Sequence, residues 1–189
     1  MLSKLNLGCG EEKKAGYINI DIRPLTKPDI LHDLNKIPYP FLDNTFDIVE
    51  ANHVLEHLNN VFLVMKEINR ILKPGGRLIL KVPHFSRGFT HAEHFHSFDV
   101  TFPLYFNEKF TKIGFSGVKF DLKEMKLQWL AFFHLMPSIG YGKLTILLLK
   151  GLSKVVSFLA NLDPYFCSRI WCYWVGGFDQ IEFQFICVK

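Results

Sequence analysis

The chain has 189 residues, of which 49% are apolar, and its 22 lysines and arginines exceed its 18 acidic residues by a net charge of +4. This length suffices for one sizeable hydrophobic core and is short for two, so we expect a single domain over residues 1–189. The basic residues are scattered, which argues against a nucleic-acid partner, and no uncharged stretch reaches the roughly 20 residues of a membrane-spanning helix.

The four cysteines show no CxxC spacing; they are Cys9, Cys167, Cys172 and Cys187. No secretory leader pattern precedes the first apolar segment. We therefore expect free thiols and a reducing, cytoplasmic location.

The first predicted strand, near residues 4–8, ends in Gly8-Cys9-Gly10, and a second strand near 17–22 ends in the acid Asp21. Glycines let backbone amides approach a ligand closely, and a carboxylate at a strand end can accept hydrogen bonds from two ribose hydroxyls. The third glycine of a GxGxxG dinucleotide turn is replaced by Lys13. The pattern therefore favours a nucleoside-type ligand without a pyrophosphate.

A short third strand near residues 29–33 and a fourth near 46–51 follow, both typical of a parallel sheet. Apolar residues then recur at helical spacing from Val61 to Leu72, and the run Lys73–Gly76 separates this helix from a fifth strand at Leu78–Val82.

The segment after the fifth strand contains His84, His91, His94 and His96. Ligands bind at the carboxyl ends of the strands in open α/β sheets, which places these histidines at the expected site. Each could be structural, could act as a general base or position a substrate, or could join a metal site. No cysteine or carboxylate pattern completes a recognised zinc spacing, so we predict no metal. We predict that one or more of the four acts on the substrate, with His84 at the rim of the site.

A helix is predicted from Asp99 to Ile113, a half-buried strand around residues 118–122, and a last strand over residues 180–188. Residues 126–179, before the last strand, form a helical insertion rich in aromatic side chains. Within it, Lys150, Lys154, Ser157 and Asn161 fall on one face of a helix from Gly142 to Leu162, and apolar residues including Leu148 and Leu152 on another. Three interpretations remain open: a cap over the substrate pocket, a homodimer interface, or peripheral docking on a membrane.

The chain resembles the class I S-adenosylmethionine (SAM)-dependent methyltransferases, in a small type 11-like subgroup that begins with LNLGCG. The resemblance covers roughly residues 4–115 and rests on the ordered set LNLGCG, His32-Asp33-Leu34, Asn44–Val49, His53–Leu58 and Glu67–Leu78. It implies an α/β, Rossmann-like sheet, mostly parallel with an antiparallel last strand. It also implies S-adenosyl-L-methionine as cofactor.

The resemblance implies a cofactor site residue by residue. Gly8, Cys9 and Gly10 would line the methionine and ribose, and Asp21 would hold the ribose hydroxyls. The other implied residues are Asp33 and Leu34 beside the adenine, Asn52 and His53 closing the site, and Leu7 and Ile22 completing the set.

Only ten residues separate Gly10 from Asp21, too few for the helix that usually lies between them, so the first helix is predicted to be reduced to a turn or lost. Methyl transfer to an apolar or amphipathic acceptor, most simply a hydroxyl, is the function that we predict. A noncatalytic binding or adaptor protein that keeps the fold and acts at a membrane or subunit interface is the alternative, favoured by the shortened link.

Overall fold

The computed structural model describes residues 2–88, 91–110 and 114–189. Within these described residues, seven strands and four α-helices alternate with short 3₁₀ helices. In chain order they are β1 (Lys4–Leu7), β2 (Ile18–Asp21), β3 (Ile30–Leu31), β4 (Phe46–Asn52), α1 (Val61–Ile71), β5 (Leu72–Pro83), α2 (Phe85–Gly88), β6 (Lys119–Gln128), α3 (Lys143–Ala160), α4 (Pro164–Arg169) and β7 (Gln180–Val188). The 3₁₀ helices are Pro24–Thr26, Leu55–His57, Phe102–Phe106, Met136–Ile139 and Trp171–Tyr173.

The strands form one sheet in the order β3-β2-β1-β4-β5-β7-β6. Strands β1 to β5 are parallel, whereas β7 lies between β5 and β6 and is antiparallel to both. The predicted fold, a Rossmann-like methyltransferase sheet with an inserted antiparallel last strand, is confirmed. Because β1 to β4 run in one direction, their carboxyl ends meet at one edge, where a ligand site can form.

Helix α1 buries one apolar face against the sheet, as its period of about 3.6 residues predicts. Val64, Met65, Ile68 and Ile71 on this helix are all almost completely buried. Asn60 caps its N-terminus, where the side-chain oxygen accepts the backbone N–H of Leu63 at 3.1 Å.

The first helix of the fold is absent, as predicted, and residues 8–17 contain only turns and irregular structure. In place of a helix, hydrogen bonds of the Asn19 side chain fix the segment between β1 and β2. Its amide oxygen accepts the backbone N–H of Lys14 at 2.8 Å and the Asn6 side chain at 3.0 Å, while its amide nitrogen donates to the Asp29 carboxylate at 2.8 Å. A buried amide thus holds the turn against β1 and β2.

The predicted helix from Asp99 to Ile113 is wrong over the residues that the structure describes. Within residues 99–110, the chain forms the 3₁₀ helix Phe102–Phe106 followed by turns. Residues 111–113, at the end of the predicted helix, lie outside the described residues. Phe102 and Phe106 pack edge to face, and Phe106 also contacts Phe120 and Phe185 of the sheet. These aromatic contacts outweigh helical propensity in the segment.

Helix α3 of the insertion covers the open edge of the sheet with polar side chains. Asn161 accepts the backbone N–H of Leu127 and donates to its carbonyl, each at 2.8 Å, and the hydroxyl of Ser157 accepts the backbone N–H of Trp129 at 3.0 Å. An edge strand leaves backbone groups unpaired, and these side chains satisfy them. The predicted amphipathic helix is present, with part of its polar face turned inward and its apolar face exposed.

Candidate functional site

A cavity of about 420 Å³ opens at the carboxyl ends of the parallel strands. Its walls come from the turn after β1, the ends of β2 and β3, and the segment after β4. The residues that line it are Gly8, Asp21, Ile22, Arg23, Asp33, Leu34, Asn35, His53, Val54, His57, Leu58 and Glu93.

The turn after β1 requires glycine for two physical reasons. Gly8 and Gly10 have φ angles of +59° and +51°, in the left-handed region that L-residues with a Cβ rarely adopt. A Cβ on Gly8 would also lie 2.5 Å from the Cγ2 methyl of Val54, and one on Gly10 would lie 2.9 Å from the Arg23 guanidinium. The turn therefore keeps its backbone close to the cavity.

Asp21 is buried at the end of β2 and is held as a carboxylate. One of its oxygens accepts the backbone N–H of Gly10 at 2.8 Å, and the other accepts the backbone N–H of Arg23 at 2.8 Å and its guanidinium at 3.3 Å. Burial by itself raises the pKa of this carboxyl, but the hydrogen bonds from Arg23 and Gly10 outweigh it, so the pKa is lowered overall. Asp21 can therefore accept further hydrogen bonds from hydroxyl groups on the cavity side.

Six of the ten residues that the resemblance implied for the cofactor line this one cavity: Gly8, Asp21, Ile22, Asp33, Leu34 and His53. The other four lie outside the lining. Leu7 and Cys9 are buried in the strand and turn behind it, Gly10 supports Asp21, and Asn52 ends β4 with a buried side-chain oxygen that has no partner among the described residues.

Cys9 is a buried thiol whose pKa is raised by burial, which suits a tight turn rather than a nucleophile. The other three cysteines are also buried and unpaired, so the predicted free thiols are confirmed.

His53 is fixed between two oxygen acceptors. Its Nδ1 faces the Glu56 carboxylate at 3.2 Å and its Nε2 faces the side-chain oxygen of Gln180 at 2.7 Å. Burial lowers the pKa of this imidazole, but the hydrogen bond and charge of Glu56 outweigh burial and raise the pKa overall. These two contacts hold the ring of His53 in place as part of the cavity lining.

The structure does not place His84 at the rim, which corrects the prediction for that residue. Its side chain is completely buried and each ring nitrogen has a partner, with Nδ1 2.7 Å from Ser86 Oγ and Nε2 2.8 Å from Ser168 Oγ. Ser168 donates onward to Asp99 at 2.7 Å, so it accepts the Nε2 proton of His84. Burial lowers the pKa of His84 to about 4. His84 is a neutral structural residue.

The other three predicted histidines lie on the loop 91–96, here called the histidine loop, beside the 3₁₀ helix Leu55–His57. The ring of His94 stacks on that of His91, with centroids 4.8 Å apart, and lies 4.9 Å from the ring of His57. None of His91, His94 and His96 is part of the cavity lining, which the loop reaches through Glu93.

Sequence reasoning missed several wall residues, among them Arg23, Val54, His57 and Glu93. His57 is part of the quoted His53–Leu58 motif, so the motif itself could have pointed to it. Arg23 and Glu93 had no signal in the sequence, because their places depend on how loops from different strands meet.

Residues 5–80 match the family model for a methyltransferase domain. A demethylmenaquinone methyltransferase of Bacillus licheniformis is 34% identical over 77 residues, which cover 41% of this chain and 29% of that protein. The sterol 4-C-methyltransferase strm-1 of Caenorhabditis elegans is 51% identical over 41 residues, covering 22% of this chain and 12% of that one. The matches thus span less than a third of each relative.

The solved structure of the Bacillus halodurans protein BH2331, described as a candidate methyltransferase, aligns over 100% of this chain and 93% of that chain, with a TM-score of 0.57 and 15% identity. This likeness shows the shared fold.

No helix in the described part of the chain is long and apolar enough to cross a membrane. Residues 5–80 thus match a methyltransferase domain, and the chain has the Rossmann-like methyltransferase fold, which suits S-adenosyl-L-methionine as a cofactor.

Proposed function

We propose that this protein transfers a methyl group from S-adenosyl-L-methionine to a hydroxyl of an apolar or amphipathic, lipid-like acceptor, as a member of the small LNLGCG subgroup. The observation that carries the proposal is the convergence of Gly8, Asp21, Asp33, Leu34 and His53 on one cavity at the carboxyl edge of the sheet. These residues come from four separate segments, and the resemblance implied all of them for one cofactor.

The residues present fit this cofactor. Asp21 is ionised and can accept the ribose hydroxyls, and Leu34 offers an apolar surface to the adenine. The Gly8 backbone, which has no Cβ, leaves room for close approach of a ligand. When bound, the cofactor supplies an electrophilic methyl on a sulfonium, so the protein's task is to orient the acceptor and exclude water.

An acceptor hydroxyl must also lose its proton. With His84 buried and neutral and His53 held between two acceptors, we infer that this task falls to the histidine loop, where His91, His94 and His96 are the predicted candidates. Single alanine variants at these positions are expected to keep binding of S-adenosylhomocysteine, while at least one loses turnover of a hydroxyl acceptor. Full activity of all three variants would remove the loop from the chemistry.

Calorimetric titration of S-adenosylhomocysteine into the parent protein and Asp21→Ala tests the cofactor site. Loss of the carboxylate removes charge-assisted hydrogen bonds worth about 1.5–3 kcal/mol each, so at least ten-fold weaker binding is expected. Asp121→Ala, an exposed carboxylate on β6, is the matched control and should bind like the parent. Equal affinity of Asp21→Ala and the parent would contradict the assignment.

A folded parent that does not bind S-adenosylhomocysteine would support the alternative function, a noncatalytic adaptor. One observation favours this alternative: the link between Gly10 and Asp21 contains no helix, so no helix N-terminus faces the ligand there.

The exposed face of α3 supports a lipid-like acceptor and peripheral membrane contact. Six apolar side chains of the helix are at least 49% exposed, and a further two, one on the helix and one just after it, complete the row. These exposed apolar residues are Leu144, Leu147, Leu148, Leu152, Val155, Phe158, Leu159 and Leu162. Trp174 and Tyr173, further along the insertion, are 75% and 69% exposed. The helix carries Lys143, Lys150 and Lys154 and no acidic residue, which suits an anionic bilayer surface.

The lining of this cavity includes no residue of the insertion. The ring of Phe132, in the insertion, lies 5.1 Å from that of His53. The two curated relatives are named for a sterol and for demethylmenaquinone, both lipid-like compounds, which is in keeping with an acceptor drawn from a membrane.

Co-sedimentation with vesicles of anionic and neutral phospholipid tests the docking. The double variant Leu148→Glu with Leu152→Glu is expected to lose binding to anionic vesicles, because it places two charges in the apolar face. The matched control is Leu25→Glu with Leu42→Glu, at two leucines that are 94% and 83% exposed elsewhere. If the parent does not bind vesicles but forms a dimer, and the double variant in α3 is a monomer, the homodimer interpretation replaces membrane docking.

A further inference from the structure

Three groups that can bind a metal converge beside the cavity: Glu56, His57 and His94. One oxygen of the carboxylate and one nitrogen of each ring all lie within 4.8 Å of one another. Glu56 and His57 are neighbours on the 3₁₀ helix Leu55–His57, and His94 comes from the histidine loop. The Glu56 carbonyl accepts the backbone N–H of Phe95 at 2.8 Å and that of His96 at 3.2 Å, which fixes the loop against the helix.

Both imidazoles are oriented with one nitrogen on a backbone carbonyl. Nδ1 of His57 lies 3.1 Å from the carbonyl oxygen of Glu93, and Nδ1 of His94 lies 2.5 Å from that of Gly88. A carbonyl only accepts hydrogen bonds, so each Nδ1 carries the proton and each Nε2 presents a lone pair. A histidine whose other nitrogen donates to a carbonyl is the usual metal-binding arrangement.

Glu56 provides an independent indication. Its side chain is completely buried, and its Oε1 accepts from His53, but its Oε2 has no hydrogen-bond partner among the described residues. A buried polar atom without a partner costs about 1–3 kcal/mol, and more when it is charged. A cation bound by this oxygen would remove that cost.

We propose that Glu56, His57 and His94 bind a divalent transition-metal ion of the Zn²⁺ class. Two imidazoles and one carboxylate suit Zn²⁺, whereas Ca²⁺ and Mg²⁺ prefer oxygen ligands alone. Three protein ligands leave one position of a tetrahedral ion for water or an acceptor oxygen. The sequence analysis predicted no metal because the spacing of His91, His94 and His96 completes no recognised zinc pattern. The other two ligands, Glu56 and His57, come from a distant segment of the chain.

The role of the ion rests on the proposed function. His57 also lines the proposed cofactor cavity, so the ion would border that cavity, and we place the acceptor hydroxyl on the ion. A hydroxyl on the ion has a lowered pKa and releases its proton to water. The oxygen lone pair then forms the bond to the methyl carbon, and the carbon–sulfur bond breaks with its electron pair remaining on sulfur.

Titration of ZnCl₂ into the EDTA-treated, dialysed protein, followed by calorimetry, tests the site without measuring turnover. One equivalent is expected to bind, and His57→Ala and His94→Ala should each weaken binding at least ten-fold. His91→Ala is the matched control, because this ring stacks on His94 outside the ligand set, and it should bind like the parent. Saturation with Co²⁺ should give a tetrahedral absorption spectrum that Glu56→Gln alters.

Absence of saturable binding to the folded parent, or binding that survives both His57→Ala and His94→Ala unchanged, would overturn the site. S-adenosylhomocysteine titrated into the same samples separates this proposal from the function: zinc binding without binding of S-adenosylhomocysteine would support the metal site and contradict the methyltransferase proposal.

Discussion

Burial of His84 predicts a specific dependence of stability on pH. In the folded protein the pKa of His84 is about 4, whereas in the unfolded chain it is the ordinary 6.5. As the pH falls below 6.5, His84 becomes protonated in the unfolded chain but stays neutral in the folded protein. The free energy of unfolding therefore falls. The full difference corresponds to about 3 kcal/mol, of which about 2 kcal/mol is lost between pH 7 and pH 5.

Urea denaturation of the parent and His84→Gln at pH 7 and pH 5 measures this contribution. Other groups titrate in both proteins, so the difference between the two free energies of unfolding isolates His84. At pH 7 the variant is expected to be less stable than the parent, because the contacts of the imidazole with Ser86 and Ser168 are altered. At pH 5 the difference in free energy of unfolding between parent and variant should be smaller by about 2 kcal/mol. A gap that does not change with pH would refute the reasoning.

If His84→Gln does not fold, the parent itself provides the test. The NMR signal of the His84 ring should remain that of a neutral imidazole down to pH 5, with Nε2 protonated. Titration of this ring near pH 6.5 in the folded protein would show that it is accessible to water, and would restore it as a candidate for the rim of the site.

Three further predictions concern the turn and the sheet edge. Gly8→Ala should lower the free energy of unfolding by about 1–3 kcal/mol and weaken S-adenosylhomocysteine binding, because its Cβ meets Val54; Gly16→Ala, also at positive φ but in open space, should cost less in urea denaturation and leave binding unchanged. Asn161→Ala should destabilise the protein by about 1–3 kcal/mol by freeing the backbone of Leu127, whereas Asn107→Ala, an exposed residue outside α3, should change the thermal midpoint little. Arg23→Ala should bind S-adenosylhomocysteine with the affinity of the parent in calorimetry. The variant keeps the backbone N–H that donates to Asp21 at 2.8 Å and loses only the longer hydrogen bond from a side chain that is 62% exposed. A ten-fold loss of affinity would contradict this.

Much of the sheet followed from local patterns in the sequence, and the family resemblance implied half of the residues that line the cavity. The strand ending in Gly8-Cys9-Gly10, the carboxylate at the end of β2 and the helical period of α1 are each properties of a few neighbouring residues. Parallel strands bring their carboxyl ends to one edge, so the meeting of Gly8 and Asp21 could be predicted, while His53 was implied by the resemblance. The loss of the first helix followed from the link between Gly10 and Asp21, because ten residues are too few for the usual helix together with its two connections.

The tertiary structure decided what depends on contacts between distant segments. His84 follows a strand and was expected at the rim, but Ser168 and Phe178 from the insertion and its end enclose the ring. The sequence left open which face of α3 turns inward; in the structure Ser157 and Asn161 bind the backbone of Trp129 and Leu127 at the end of β6 and leave the leucines exposed. Periodicity determines which residues share a face of a helix. Which face turns inward depends on what the helix packs against, and here that is an edge strand with unpaired backbone groups.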